Sequence, residues 1–208
     1  MQVAIHLGFV FCIVLKIRLE VNNGILVLGL NPGGDKASES LEAPNGLAYQ
    51  LESWGNGKYL ASESPIQKQI LLLLSRLSFE PEMTLASNLV FYRSPKWKDL
   101  VNPNESIKSC IEIWRSILSS VTDIKKVIYI GKKTFDLTRE NQLFSFESVP
   151  LIKRDLWARG SWQIFMDRSG RKHIVLPHLS RWSFISNGAS EFEDLVEMTM
   201  RPDATDNR

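Results

Sequence analysis

Apolar residues fill positions 25–28 and 30, interrupted only by Gly29, and the run stops at Asn31-Pro32-Gly33-Gly34. A continuous apolar run closed by turn residues predicts a strand buried on both faces. Residues 35–60 are polar and dotted with glycine and proline, which predicts a long loop with a short helix. Behind Ser64-Pro65 the period changes. Apolar residues at 66, 70, 73, 74 and 77 lie on one helical face, and Ser-Pro is a helix start. "MTLASNLVFYRSP" predicts a second strand over residues 83–95, interrupted at Asn88 and ended near Pro95. Apolar positions 107, 110, 111, 114, 117, 118 and 121 predict a second long helix. "KKVIYIGKKTFD" reads as a third strand, then Gly131 and a helix start. Residues 162–184 predict a hairpin around Ser169-Gly170, followed by a strand running into Pro177. "SEFEDLVEMTM" predicts an acidic amphipathic helix.

Strands alternating with helices imply a mostly parallel sheet with helices on both faces. Ligands in such sheets bind outside the carboxyl ends of the strands. Asn31, Asn88, Gly131 and His178 all fall at or near strand ends, so they are expected along one edge. The chain divides into an apolar N-terminal segment, residues 1–24, a single domain over 25–200 and a frayed tail, 201–208. The segment "VAIHLGFVFCIVL" has no preceding basic residue and no small-residue cleavage site, so it does not read as a signal peptide. At 13 residues it is also short of the roughly 20 that span a bilayer. A buried helix or strand pair, or a non-native upstream extension, remain open for it.

Composition adds two exclusions. Cys12 and Cys110 are the only cysteines, too few for a disulfide framework, a four-cysteine zinc site or a cysteine-ligated iron–sulfur cluster within one chain. His6, His173 and His178 fall in no metal-ligand spacing, so no metal and no cofactor is expected. Cysteine usage favours a reducing, intracellular compartment. The net charge of +2 conceals an uneven distribution: +8 over residues 88–182, against −2 before and −4 after. A basic block between acidic flanks suits a polyanion-binding face, although scattered solvated lysines give the same balance.

The Asn-Pro-Gly-Gly turn is neither a Walker loop, since no Gly-Lys-Ser/Thr follows, nor a dinucleotide fingerprint. It offers a rigid bend, close backbone approach and a neutral carboxamide at a strand tip. "VLGLNPGG" resembles the first motif of the uracil-DNA glycosylase superfamily. "NGLAY" at 45–49 is similar to the segment whose aromatic ring stacks on the extruded base. "ASNLVFY" at 86–92 resembles the strand carrying the asparagine that reads the base edge, and "VIYIGKKTF" the third core strand. "LPHLSRW" at 176–182 is similar to the closing His-Pro-Ser motif. The matches run in the family's order over residues 25–185. Asn31 in the first motif is closest in style to the mismatch-directed and single-strand-selective branches.

The resemblance implies a three-layer α/β/α fold with a mostly parallel central four-stranded sheet. It also implies a monofunctional DNA glycosylase that hydrolyses the N-glycosidic bond of uracil, or a related damaged base, flipped out of DNA. Its expected partner is DNA, not a membrane; the protein would be a monomer, cytoplasmic (nucleoid-associated) or nuclear. Asn31 and His178 would be catalytic. Gly29, Leu30, Tyr49 and Asn88 would form the base pocket, with Tyr49 stacking and Asn88 donating and accepting at once. Pro32, Gly33 and Ser180 would meet DNA, and Arg181 or Trp182 would fill the vacated stack. Tyr49 is equally readable as a half-buried aromatic, and Asn88 as a polar residue paired within the core. Three departures matter. Asn31 stands where the most active branch has a water-activating aspartate, and an amide cannot act as a general base. Asp35 could substitute only if its loop folds back. Leu179 replaces the motif's proline, leaving the path after His178 less fixed. Lys36, close to the turn, leaves a lyase nucleophile open. The alternatives are a catalytically weak nucleic-acid-binding module retaining the fold, and a nucleotide- or phosphate-metabolising α/β enzyme. The latter needs an acid or metal cluster absent from the sequence.

Overall fold

Ile25, Leu26, Val27 and Leu28 are completely buried in the first strand, β1 (Gly24–Gly29), because both of its faces are covered. The computed structural model describes residues 24–33, 47–55, 57–80, 84–121, 123–146, 150–156, 160–179 and 189–201. Most of the N-terminal segment, Asp35, Lys36, Ser180 to Trp182 and nearly all of the tail lie outside the described residues.

Along the chain follow α1 (Ala48–Leu51), α2 (Pro65–Arg76), β2 (Thr84–Asn88), α3 (Pro103–Ser120), β3 (Ile124–Ile130) and α4 (Lys132–Glu140). The chain continues through β4 (Ile152–Asp155), β5 (Ser161–Met166), β6 (Lys172–Leu176) and α5 (Ala189–Met200). One sheet holds all these strands in the order β2-β1-β3-β6-β5-β4. β2, β1, β3 and β6 are parallel, while β5 runs antiparallel to β6 and β4 to β5.

The sheet therefore has six strands, not the expected four. The parallel part contains four, and the difference is the β4–β5 hairpin added at one side. β5 is the first arm of the hairpin expected around Ser169-Gly170. β4 carries the sequence IKRD, whose last three side chains are exposed, so it has no apolar periodicity to read. β2 also ends earlier than its apolar run, at Asn88. Its amides carry on the pairing for two residues, Leu89 N–H donating to the Gly29 carbonyl (2.8 Å) and Val90 N–H to that of Leu30 (2.9 Å). The pairing then stops because β1 bends away at Pro32.

Alternation along β1 sorts the core into two layers. Ile25 and Val27 join Ile70, Leu73, Leu74 and Leu77 of the α2 region and Leu195 of α5. Leu26 and Leu28 join Ile107, Ile111 and Trp114 of α3 and Phe135 of α4. Helices thus cover both faces, and each fully buried Leu or Ile contributes roughly 1.5–3 kcal/mol. α2 begins with a capping box, Ser64 accepting from Gln67 N–H while the Gln67 side chain accepts from Ser64 N–H. α5 is tied to the sheet by buried Lys172, whose ammonium donates to the Thr199 and Arg201 carbonyls at the helix end. No described helix is long and apolar enough to cross a membrane.

At the opposite edge of the sheet from the strand tips, a polar chain crosses the α3/α4 core. Asp167 accepts from the Ser169 amide and hydroxyl and from the Arg171 amide, forming the β5–β6 turn. It also accepts from His173 Nε2 at 3.1 Å, and His173 Nδ1 lies 2.9 Å from the Tyr129 hydroxyl. Burial works to raise the Asp167 pKa, but the bonds from His173, Ser169 and Arg171 outweigh it and hold the carboxyl well below its usual range. An ionised Asp167 can only accept, so Nε2 carries the imidazole proton and Nδ1 accepts from Tyr129. Burial lowers the His173 pKa, opposed in part by the Asp167 hydrogen bond. The unfolded chain then takes up the proton before the folded one does. His173's contribution to stability is full above about pH 6.5 and is lost as pH falls from there towards the folded pKa. Melting temperatures compared at about pH 8 and about pH 5.5 should fall on acidification in the wild type, and by clearly less in His173→Gln. Equal falls in the two proteins would place the acid sensitivity elsewhere.

Candidate functional site

The four parallel strands deliver their carboxyl ends to one edge in the order β2, β1, β3, β6. Chain order reverses at β1, from which the chain steps first to β2 and later back to β3. The crevice beside such a reversal is where open α/β sheets hold ligands. Gly29 and Asn31 stand at the tip of β1, Asn88 at the tip of β2, Gly131 after β3 and His178 after β6.

Gly29 pairs with Asn88 across β1 and β2. A methyl group on Gly29 would lie 2.4 Å from Asn88 Oδ1, so the asparagine side chain rests on the glycine backbone. Glycine is required here for clearance. The half-buried Asn88 carboxamide makes no hydrogen bond among the described residues; the backbone carbonyl of Asn88 accepts from the Trp114 indole at 3.3 Å. A polar group in that position is open to a ligand able to donate and accept at once.

Asn31 is held differently. Its Nδ2 donates to Ser94 Oγ at 2.9 Å and to the Pro32 carbonyl at 3.2 Å. Buried Ser94 gives its own proton to the Lys96 carbonyl at 3.0 Å, so it must accept from the asparagine. That fixes the amide: NH2 faces Ser94, and Oδ1 is left as the acceptor. The turn is pinned again by Ser94 N–H on the Pro32 carbonyl (3.2 Å) and by Arg93 Nη1 on the Gly33 carbonyl (2.9 Å). Pro32 is buried, contrary to a role in meeting DNA directly, whereas Gly33 is exposed with open space where a Cβ would sit. Leu30 is half-buried beside it.

His178 is exposed, and its ring lies against Gly131, with Cδ2 3.5 Å from where a Gly131 Cβ would sit. Gly131 has φ +100°, a conformation that strains any L residue. Its N–H donates to the Leu176 carbonyl at 3.0 Å, joining the tips of β3 and β6. Tyr49 belongs to the buried cluster that includes Leu176 and Leu179, beside Trp54 at 5.2 Å between ring centroids. Burial pushes its hydroxyl pKa up to about 12. With 8% exposure it offers no open platform for a base to stack on.

Exposed cations surround this edge. Arg93, Lys96 and Lys98 follow β2, and Lys132 and Lys133 open α4, which has no acid in its first turn. Lys132 pairs with Asp136. Positive charge at a helix N-terminus opposes the dipole unless an anion joins it. No group of three or more His, Cys, Asp or Glu suited to a metal occurs among the described residues.

Two contributors escape a motif reading. Ser94 had only the Arg-Ser-Pro context to mark it. Buried Gln69 did carry a signal, lying three residues after Ile66 and four before Leu73, on the apolar face of α2. Its Nε2 donates to the Leu179 carbonyl at 2.7 Å. The chain matches no model of a protein family and no curated protein sequence.

The Gly29–Asn88 contact generates a direct expectation. Gly29→Ala should rotate the Asn88 side chain away while the sheet survives, because the obstructing atom is a side-chain tip. In amide NMR spectra the Asn88 NH2 resonances should move far more than the amides of β5 and β6, with melting lowered by only a few degrees. Unmoved Asn88 resonances in a folded variant would refute the close contact.

Proposed function

We propose that the protein is a monomeric, monofunctional DNA glycosylase that removes uracil or a related damaged base flipped out of DNA, without a cofactor. The observation that carries this reading is the Asn88 carboxamide, seated on Gly29 at a strand tip with no hydrogen-bond partner among the described residues. A partner that both donates and accepts, such as the O4/N3–H edge of uracil, satisfies it. The basic rim and the cationic start of α4 support a polyanionic substrate. The resemblance of the residue 25–185 motifs supports the same class.

In this reading the C1′–N1 bond breaks with its electron pair passing to the base. His178 donates a hydrogen bond to the base oxygen where negative charge develops. Asn31 Oδ1 accepts from a water that attacks C1′ and orients it without taking its proton, which leaves to solvent. Most of the acceleration therefore comes from His178. Tyr49 lines the pocket, Gly29 and Leu30 border it, and Gly33 approaches a phosphate. Ser180 and Arg181 or Trp182 are assigned by resemblance alone. The second reading, a nucleic-acid-binding module with weak catalysis, is favoured by one feature: Asn31 is an amide already committed to Ser94.

His178→Ala should lower single-turnover excision from a uracil oligonucleotide by roughly 10²-fold or more, the usual scale for losing one such donor. Asn31→Asp should raise the rate if the Ser94 hydroxyl turns from the Lys96 carbonyl to the new carboxylate. Asn88→Asp should lose uracil excision while retaining abasic-DNA binding. Full activity in folded His178→Ala removes the catalytic assignment; wild-type inactivity on uracil, hypoxanthine and xanthine leaves the binding module.

Binding to an abasic-site duplex should weaken steeply between low and physiological salt, because phosphate contacts release counterions. Salt-independent binding would exclude a phosphate-tracking surface.

A further inference from the structure

We infer that Gln69 is a positioning residue for His178, an inference that rests on the reading of His178 as the donor to the departing base. β6 ends at Leu176, so His178 lies two residues beyond the last ladder. Residues 176–179 form a short arch with two fixed feet. At one foot, the Leu176 side chain is buried and its carbonyl accepts from Gly131 N–H at 3.0 Å. At the other, the Leu179 side chain is buried and its carbonyl accepts from Gln69 Nε2 at 2.7 Å. Pro177 stiffens the backbone between them, and His178 is the exposed crown, its ring against Gly131.

The first foot is backbone to backbone, with glycine needed at its donor, Gly131. The second depends on one side chain, sent across 110 positions of sequence from α2. Gln69 is 4% exposed and Leu179 1%, so water does not stand in for the missing donor. A carboxamide on the apolar face of α2 is unfavourable unless bonded, and this bond gives it a use. With the donor removed, the Leu179 carbonyl must turn towards another partner. That carbonyl belongs to the peptide following Leu179, so the effect reaches His178 through the Leu179 Cα: once the second foot is released the Leu179 backbone shifts, and the imidazole moves relative to Gly131. Small misplacements of a catalytic donor are costly because the interaction is directional.

The experiment uses Gln69→Leu, which keeps apolar volume and removes the donor, with two readouts. The first is independent of activity. The His178 Cδ2 proton and the Gly131 Hα that points towards it should show a strong nuclear Overhauser effect in the wild type and a weak or absent one in the variant. The second is enzymatic. Single-turnover excision should fall by roughly 10- to 100-fold, while abasic-duplex affinity stays within about twofold, since the phosphate contacts are untouched. An unchanged Overhauser effect together with an unchanged rate would overturn the proposal. A lost Overhauser effect in a protein whose wild type excises no base would sustain Gln69's hold on His178 and defeat the glycosylase reading instead. Should Gln69→Leu melt below the assay temperature, Gln69→Asn, which keeps a carboxamide but falls short of Leu179, carries the same expectations.

Discussion

Strand β1 is hydrogen-bonded along both edges, to β2 and to β3, and covered on both faces, so residues 25 to 28 have no surface through which to act. Polar chemistry on this strand can begin only at its carboxyl end, where the ladders run out. Parallel register then brings the neighbours to the same level, Gly29 opposite Asn88 and Leu28 opposite Tyr129, two residues before Gly131. A slip of one residue between β1 and β2 would send Asn88 to the other face of the sheet. Beyond the strand, the Leu89 and Val90 amides bonded to the Gly29 and Leu30 carbonyls hold that register. Site geometry is thus a consequence of strand register.

The two asparagines show how the same side chain is given different tasks. Asn31 is saturated on its NH2 side and fixed in one orientation by a serine whose proton is already spent. Asn88 rests against Gly29, and among the described residues neither end of its half-buried amide is hydrogen-bonded. Local rules are broken most openly at sites that bind something. On this edge Asn88 lies over Gly29, and Gly131 takes a positive φ under the His178 ring.

Much of this architecture was legible because it rests on short-range patterns. The apolar run ending in Asn-Pro-Gly-Gly placed β1, the spacing of 66, 70, 73, 74 and 77 placed α2, and Ser169-Gly170 placed the β5–β6 turn. β4 was illegible because an exposed edge strand of four residues buries no alternating face. Strand ends also placed Asn31, Asn88, Gly131 and His178 along one edge. The supports of those residues were hidden, since Ser94 lies 63 positions from Asn31 and Gln69 lies 110 from Leu179. No periodicity encodes a bond made across such separations. His173 shows the converse error of expectation: lacking any metal spacing, it gave no sign of the Asp167–Tyr129 chain it completes.

The central place of β1 also has a cost in time. Its pairing with β3 joins Gly24 to Ile124, residues that leave the ribosome 100 positions apart. At roughly 5–20 residues per second, β1 is synthesised several seconds to some twenty seconds before one of its two neighbours exists. Its sequence, GILVLG, has no charge to discourage association with another extended chain during that interval. β5 and β6, joined by a tight turn, face no such delay. The strand buried on both faces in the finished protein is therefore the one whose pairing waits longest while the chain is being made.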